Sequence, residues 1–133
     1  WSMPWNLQLK KENKKSINYK SLAWAEQPQT IGEVGSTFTI QGFDLNYVGV
    51  IIVPSVVFMD GKIQFIPENS KNEKAVRNRT LSDGRKHKFG ERLLKNELNV
   101  LLTRGVKGLY IYAVDSALQE ELMRRQGEKN NGK

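Results

Sequence analysis

The sequence predicts an α/β fold, a mostly parallel sheet with an inserted β-hairpin and a charged loop. Three observations carry that expectation. Two continuous apolar runs, residues 47–53 and 109–114, have the length and the β-branched and aromatic content of strands buried on both faces. Between them Phe89, Leu93, Leu94, Leu98 and Leu101 mark one face of a helix over about 88–104. Strand, helix and strand in that order form a crossover unit whose two strands run parallel.

The elements follow in order. Trp1 and Trp5 suggest an anchored end, and the lysine and asparagine run to residue 20 an exposed loop. Residues 21–25 suit a short strand closed by Pro28. Residues 30–34 suit a helical turn, with Thr30 as cap, Glu33 in the capping-box position and Gly35 ending it. Residues 36–40 alternate hydroxyl and apolar side chains at strand spacing, and the 47–53 strand is interrupted only by Gly49 and stopped by Pro54. Residues 56–59 and 62–66 flank Asp60-Gly61, the dipeptide of a type I′ hairpin turn. Residues 67–88 are charged and poor in apolar side chains, which predicts a mobile loop. On the helix that follows, Glu91 and Lys95 form a favourable pair on the wet side, and Gly105 stands where a left-handed cap is wanted. After the 109–114 strand, Ser116 caps a last helix to about Arg125. The expected organisation is one domain over 1–126 and a disordered tail over 127–133.

Composition narrows the function. At 133 residues the chain can bury a real core. It begins Trp1-Ser2-Met3 without a charged-then-apolar leader, so the expectation is a piece of a larger protein. No apolar run approaches the roughly 18 residues that span a bilayer, so no membrane partner is expected. Cysteine is absent, which excludes disulfides, thiol catalysis and thiolate metal sites and points to a reducing, cytoplasmic compartment. His87 is the single imidazole, and one histidine in a basic loop builds neither a zinc site nor a catalytic triad; no metal site is expected.

The net charge of +7 is unevenly placed. Residues 10–20 hold five lysines against Glu12. Residues 71–95 hold nine Lys or Arg, among them Lys86, Lys88 and Arg92, against Glu73, Asp83 and Glu91. Such blocks suit a nucleic-acid backbone or another polyanion. They suit a merely solvated loop equally well, since aromatic residues are not interleaved with the charges.

Two segments then resemble motifs of superfamily 1 helicases. Residues 36–52, STFTIQGFDLNYVGVII, resemble motif V: a strand, then Thr-x-Gln-Gly-hydrophobic-acidic, then a second apolar strand. Residues 100–112, VLLTRGVKGLYIY, resemble motif VI, a helix ending in Leu-Thr-Arg before a strand that begins Lys-Gly-Leu-Tyr. More narrowly the chain resembles the C-terminal part of the bacterial Schlafen group 3-like DNA/RNA helicase family. The carriers are Met3-Pro4-Trp5-Asn6, Val34-Gly35, Gln41-Gly42, Asp44, the run 47–52, Asp60-Gly61 and Leu102-Thr103-Arg104-Gly105. They run in order across most of residues 1–114.

The resemblance implies a C-terminal RecA-like lobe that works with an upstream RecA-like lobe of the same chain, binding ATP between them and moving a DNA or RNA strand. It implies that Arg104 is an arginine finger on the terminal phosphate, a rigid cationic fork placed where negative charge builds. It implies nucleotide contacts for Thr39, Gln41, Gly42, Asp44 and Lys107, and nucleic-acid contacts for Lys86, Lys88 and Arg92. Taken without the resemblance, Arg104 reads as an ordinary arginine on the last carbonyls of a helix, and 41–44 as a polar turn between strands.

The sequence departs from the family pattern at Phe38, Asp44 and Asn46, where relatives usually carry histidine, glutamate and aspartate; the shorter Asp44 reaches less far. No acidic pair of the motif II kind is present. Residues 127–133, GEKNNGK, match the first seven positions of a P-loop, but a helix precedes them and the hydroxyl residue is missing. Mg2+ is therefore expected on the absent lobe, and the fragment alone is expected to be inactive. A non-catalytic nucleic-acid-binding module with the same fold is the alternative, and a scaffold or signalling domain a further one.

Overall fold

The computed structural model describes residues 2–5, 22–72, 79–80, 82–84 and 86–131. Trp1 and the lysine block at 10–20 lie outside them, as does part of the 71–95 block. Two compact units divide the chain, Trp1–Asp44 and Leu45–Lys133.

In the first unit side chains organise the backbone more than ladders do. Residues 24–26 form a 3₁₀ turn (Trp24–Glu26) where a strand was expected, and a second turn covers Pro28–Gly32. The reason is local polar bonding. The Ala23 amide donates to Glu26 Oε2 at 2.8 Å, and Gln27 Nε2 donates to the Leu22 carbonyl at 3.0 Å. Thr30 does not cap forward as its spacing suggests; its hydroxyl points back to the carbonyls of Trp24 and Gln27 at 2.8 and 2.7 Å. Glu33 accepts the Trp24 indole N–H at 3.1 Å instead of closing a capping box. Gln27, Thr30 and Glu33 are buried, so these bonds satisfy groups that would otherwise be costly to desolvate. Helix α1 (Thr37–Ile40) replaces the strand expected at 36–40. Only Ile40 of this segment is buried and Phe38 is 67% exposed, so no alternating face exists for a sheet to cover.

The second unit is α/β. Strand β1 (Leu45–Ile52) lies parallel to β6 (Gly105–Ala113), as the crossover pattern predicts. Between them stands the hairpin of β2 (Val56–Met59) and β3 (Lys62–Phe65). Its turn residues Asp60 and Gly61 have φ of 54° and 74°, the left-handed pair that a type I′ turn demands. Of the loop expected at 67–88, residues 73–78, 81 and 85 lie outside the described residues, and the described ones hold a 3₁₀ turn (Pro67–Asn69) and a short antiparallel pair, β4 (Arg79–Thr80) with β5 (Lys86–His87). Polar bonds substitute for missing apolar ones: Asn69 donates to the Pro54 carbonyl at 3.1 Å and Asn72 donates to Glu97.

Helix α2 (Gly90–Leu102) and helix α3 (Ser116–Asn131) complete the unit. The cap of α3 is Asp115, whose Oδ1 accepts the Leu118 amide at 2.9 Å, one residue before the serine expected there. The helix continues past Arg125 to Asn131, so 127–131 is helical where composition predicts a frayed tail. A helix through this segment also has none of the backbone loop a P-loop needs.

Both long strands were expected to be buried on two faces, and they are buried on one. Val48, Val50, Ile52 and Ala113 join Val56 and Leu118 in the core, and leucines of α2 and α3 pack on the same side. Burial of each valine, isoleucine or leucine side chain among them stabilises the unit by about 1.5–3 kcal/mol. The alternate positions Tyr47, Ile51, Tyr110 and Tyr112 face outward.

Candidate functional site

Arg104 stands at the junction of α2 and β6. Thr103 is the helix C-cap, and its hydroxyl donates to the Asn99 carbonyl at 2.8 Å. Arg104 Nη2 donates to that hydroxyl at 3.3 Å. On the other side of the residue, the Leu45 amide donates to the Arg104 carbonyl at 2.8 Å. The main chain is thus held by the first residue of β1, and the half-buried side chain starts from a fixed origin. The helix end favours a cation there, because its last carbonyls carry partial negative charge.

Gly105 does not take the left-handed conformation of a helix cap; it opens β6. Its glycine has another cause. Between Leu45↔Gly105 and Tyr47↔Gly108 the register shifts, so β6 carries an extra residue opposite β1. That bulge brings the Gly108 carbonyl inward, and a Cβ on Gly105 would stand 2.5 Å from its oxygen. Bulges re-aim side chains and recur beside active sites. Lys107 lies in this one, exposed and three residues from Arg104 in sequence. The Gly-x-x-Gly spacing after Arg104 was the overlooked sequence signal.

Thr39, Gln41, Gly42 and Asp44, from the segment that resembles motif V, lie in the first unit. Thr39 Oγ1 accepts the Ser36 amide at 2.8 Å and donates to the Ser36 carbonyl at 2.9 Å. Its one proton is committed to the helix start, which makes Thr39 a brace for the following turn. Gln41 (φ −59°, ψ 128°) and Gly42 (φ 88°) are the central residues of a type II turn, closed by the Phe43 amide donating to Ile40 at 3.1 Å. Nothing lies within 4 Å of where a Gly42 Cβ would sit. Glycine is therefore required for its dihedral, and not for the close backbone approach that its place in the motif suggests. Gln41 and Asp44 are exposed, and Asp44 immediately precedes Leu45 in the chain.

Lys88 and Arg92 come together at the opposite end of α2. With Phe65, Pro67, Glu68 and Glu91 they line a cleft of about 510 Å³. Glu68 is the lining residue that charge counting over 71–95 misses. Lys86 contributes backbone to β5 beside this segment. The length of α2, about 1.5 Å per residue, separates the cleft from Arg104, so the helix keeps the two groups of cations apart. Among the described residues no three His, Cys, Asp or Glu side chains gather as a metal site, and no helix is long and apolar enough to cross a membrane.

The family described as Schlafen group 3, DNA/RNA helicase domain matches residues 1–115. The chain is 43% identical over 103 residues to a Saccharomyces cerevisiae protein described as uncharacterized protein YPL245W. That alignment covers 76% of this chain and 22% of the yeast protein, so the chain spans under a quarter of that relative's length. No solved structure matches the chain.

Proposed function

The chain belongs to the Schlafen group 3 DNA/RNA helicase domain family, and on that premise we propose that it is the C-terminal RecA-like lobe of a superfamily 1 helicase-like ATPase. ATP, bound against an upstream lobe, supplies the phosphoryl group whose transfer to water drives the cycle. Arg104 offers its guanidinium to the terminal phosphate, where a rigid donor fork meets growing negative charge. Lys107 adds a second cation from the bulge. Gln41 and Asp44, presented by the type II turn at Gly42, contact the nucleotide or couple it to the DNA or RNA strand, and Thr39 braces that turn. Lys86, Lys88 and Arg92 meet nucleic-acid phosphates.

The observation that carries this reading is the mounting of Arg104: backbone held by Leu45, side chain half-exposed at a helix end, with a glycine-bracketed bulge immediately after it. Residues of the chain fit a nucleotide phosphate at that point. Among the described residues no three His, Cys, Asp or Glu side chains gather as a metal site, and the reading gives Mg2+ to the upstream lobe. No strand, P-loop and helix run in the 133 residues, and the chain by itself is expected to leave ATP intact.

The test is Arg104→Ala in the full product of the gene. ATP turnover is expected to fall by about 10³ while nucleic-acid affinity is kept, and Arg104→Lys restores little, because an ammonium lacks the planar fork. Unchanged turnover removes the finger. Function would then pass to a binding module built on the Lys88 and Arg92 cleft.

A further inference from the structure

Among the serine and threonine residues of the chain, only Thr80 and Ser82 have an arginine three residues before them, and only Ser82 has a second arginine five residues before. The run is Arg77-Asn78-Arg79-Thr80-Leu81-Ser82. Its spacing has a chemical meaning, because a kinase with carboxylates along its peptide groove can take two guanidinium forks as charge-assisted pairs and so set the hydroxyl at the reacting phosphorus. Neither the arginine finger nor the Lys88 and Arg92 cleft uses this run.

The fold puts the hydroxyl where such an enzyme can reach it. Ser82 is exposed in the turn that joins β4 to β5, and Asp83 and Gly84 beside it are exposed as well. Gly84 holds φ of 80°, and a Cβ there would meet nothing within 4 Å, so open space borders the turn. The ladder behind it is two residue pairs long, Arg79↔His87 and Thr80↔Lys86. A two-stranded ribbon of that length is marginal by itself, so it opens at little cost and its residues can lie extended in a groove. Thr80, by contrast, sits inside the ladder and lacks the second arginine.

We propose that Ser82 is a phosphoacceptor of an arginine-directed serine/threonine kinase, and that its phosphate loosens the hold of the neighbouring cations on nucleic acid. In the transfer, Ser82 Oγ bonds to the γ-phosphorus of ATP, the bond from that phosphorus to the β,γ-bridging oxygen breaks, ADP leaves and the hydroxyl proton passes to the kinase's base. The product carries a charge of about −1.5 to −2 at neutral pH. It falls in the block over 71–95, whose nine Lys or Arg stand against three acidic residues, and two residues beyond Thr80, the cross-strand partner of Lys86. Phosphorylation thus works against a polyanion without unfolding anything. This regulation rests on the phosphate contacts proposed for Lys86, Lys88 and Arg92; the acceptor itself does not.

The experiment treats the full product of the gene, and its Ser82→Ala variant, with labelled ATP and a serine/threonine kinase chosen for its turnover of peptides that carry arginine five and three residues before serine. Label is expected on Ser82 by phosphopeptide mapping, and is absent from that peptide in Ser82→Ala. Arg77→Ala and Arg79→Ala should each lower kcat/KM for labelling by about tenfold or more. No label at Ser82, label on Thr80 in its place, or labelling indifferent to both arginines overturns the acceptor. Binding to single-stranded oligothymidine, read before and after treatment, should weaken by about tenfold at about 0.1 M salt with a salt slope shallower by about 1, and Ser82→Ala should bind alike in both states. Equal affinity of the phosphorylated and untreated protein overturns the regulation and leaves the nucleic-acid reading standing. An untreated protein that does not bind the oligonucleotide refutes that reading instead, and the regulation falls with it, while the mapped label still decides the acceptor.

Discussion

The ring of Tyr47 lies over Gly108, where a Cβ would stand 2.8 Å from Tyr47 Cδ1. Tyr47 is an exposed side chain that can swing aside. Gly105, by contrast, faces the backbone oxygen of Gly108. Gly108→Ala should therefore cost less than about 1 kcal/mol and cost nothing in a Tyr47→Ala background. Gly105→Ala should cost about 1–3 kcal/mol in either background. Urea denaturation of the single and double variants measures both, and equal costs at the two glycines would contradict the bulge geometry.

Gly42 needs a positive dihedral and no extra room. Alanine there pays the left-handed penalty of about 1–2 kcal/mol, while asparagine, which tolerates that conformation, pays a fraction of it. The expected order of stability is glycine, asparagine, alanine. A result with alanine and asparagine alike would mean that the turn relaxes to another type.

Glu121 accepts Arg124 Nε at 2.8 Å and Arg125 Nε at 2.6 Å, and Arg124 also reaches Glu128. Hydrogen bonds from Arg124, then Arg125, hold the Glu121 carboxyl down from its usual 4.5 to about 2, and Arg124 is raised in turn. The folded value is the lower one, so the stabilisation is complete above pH 4.5 and is lost as pH falls towards 2. Helical circular dichroism should decline across that window, and Glu121→Gln should remove part of the decline. Matching pH profiles for the two chains would show that these exposed bonds add nothing to α3.

What was legible in the sequence was whatever a short stretch decides for itself. Asp60-Gly61 needs positive φ at both residues wherever it occurs, so the hairpin could be read directly. The leucine spacing of α2 and the two apolar runs likewise carry their own period, and their parallel pairing follows. The strands expected at 21–25 and 36–40 are helical turns instead, and the turn expected at 30–34 stands at Pro28–Gly32, because polar bonds from Gln27, Thr30 and Glu33 and the exposure of Phe38 decide this segment, and spacing is silent about both.

The candidate site divides the same way. Arg104 at the end of a helix could be read from the leucine period and from the resemblance. The reason for Gly105 could not, because a glycine after a helix suggests a cap, and only the inward carbonyl of Gly108 reveals the bulge. Lys88 and Arg92 were found by charge, but their neighbour Glu68 arrives from the far side of the 67–88 segment.

Asp115 ties distant pieces of the second unit. Besides capping α3, its Oδ1 accepts the amide of Phe58 at 3.1 Å from the middle of β2. A single oxygen thus latches hairpin and helix, and opening either one strips the other of an acceptor. The two elements are bound to exchange their amide protons as one cooperative unit, so a perturbation at the tip of the hairpin is felt at the root of the longest helix.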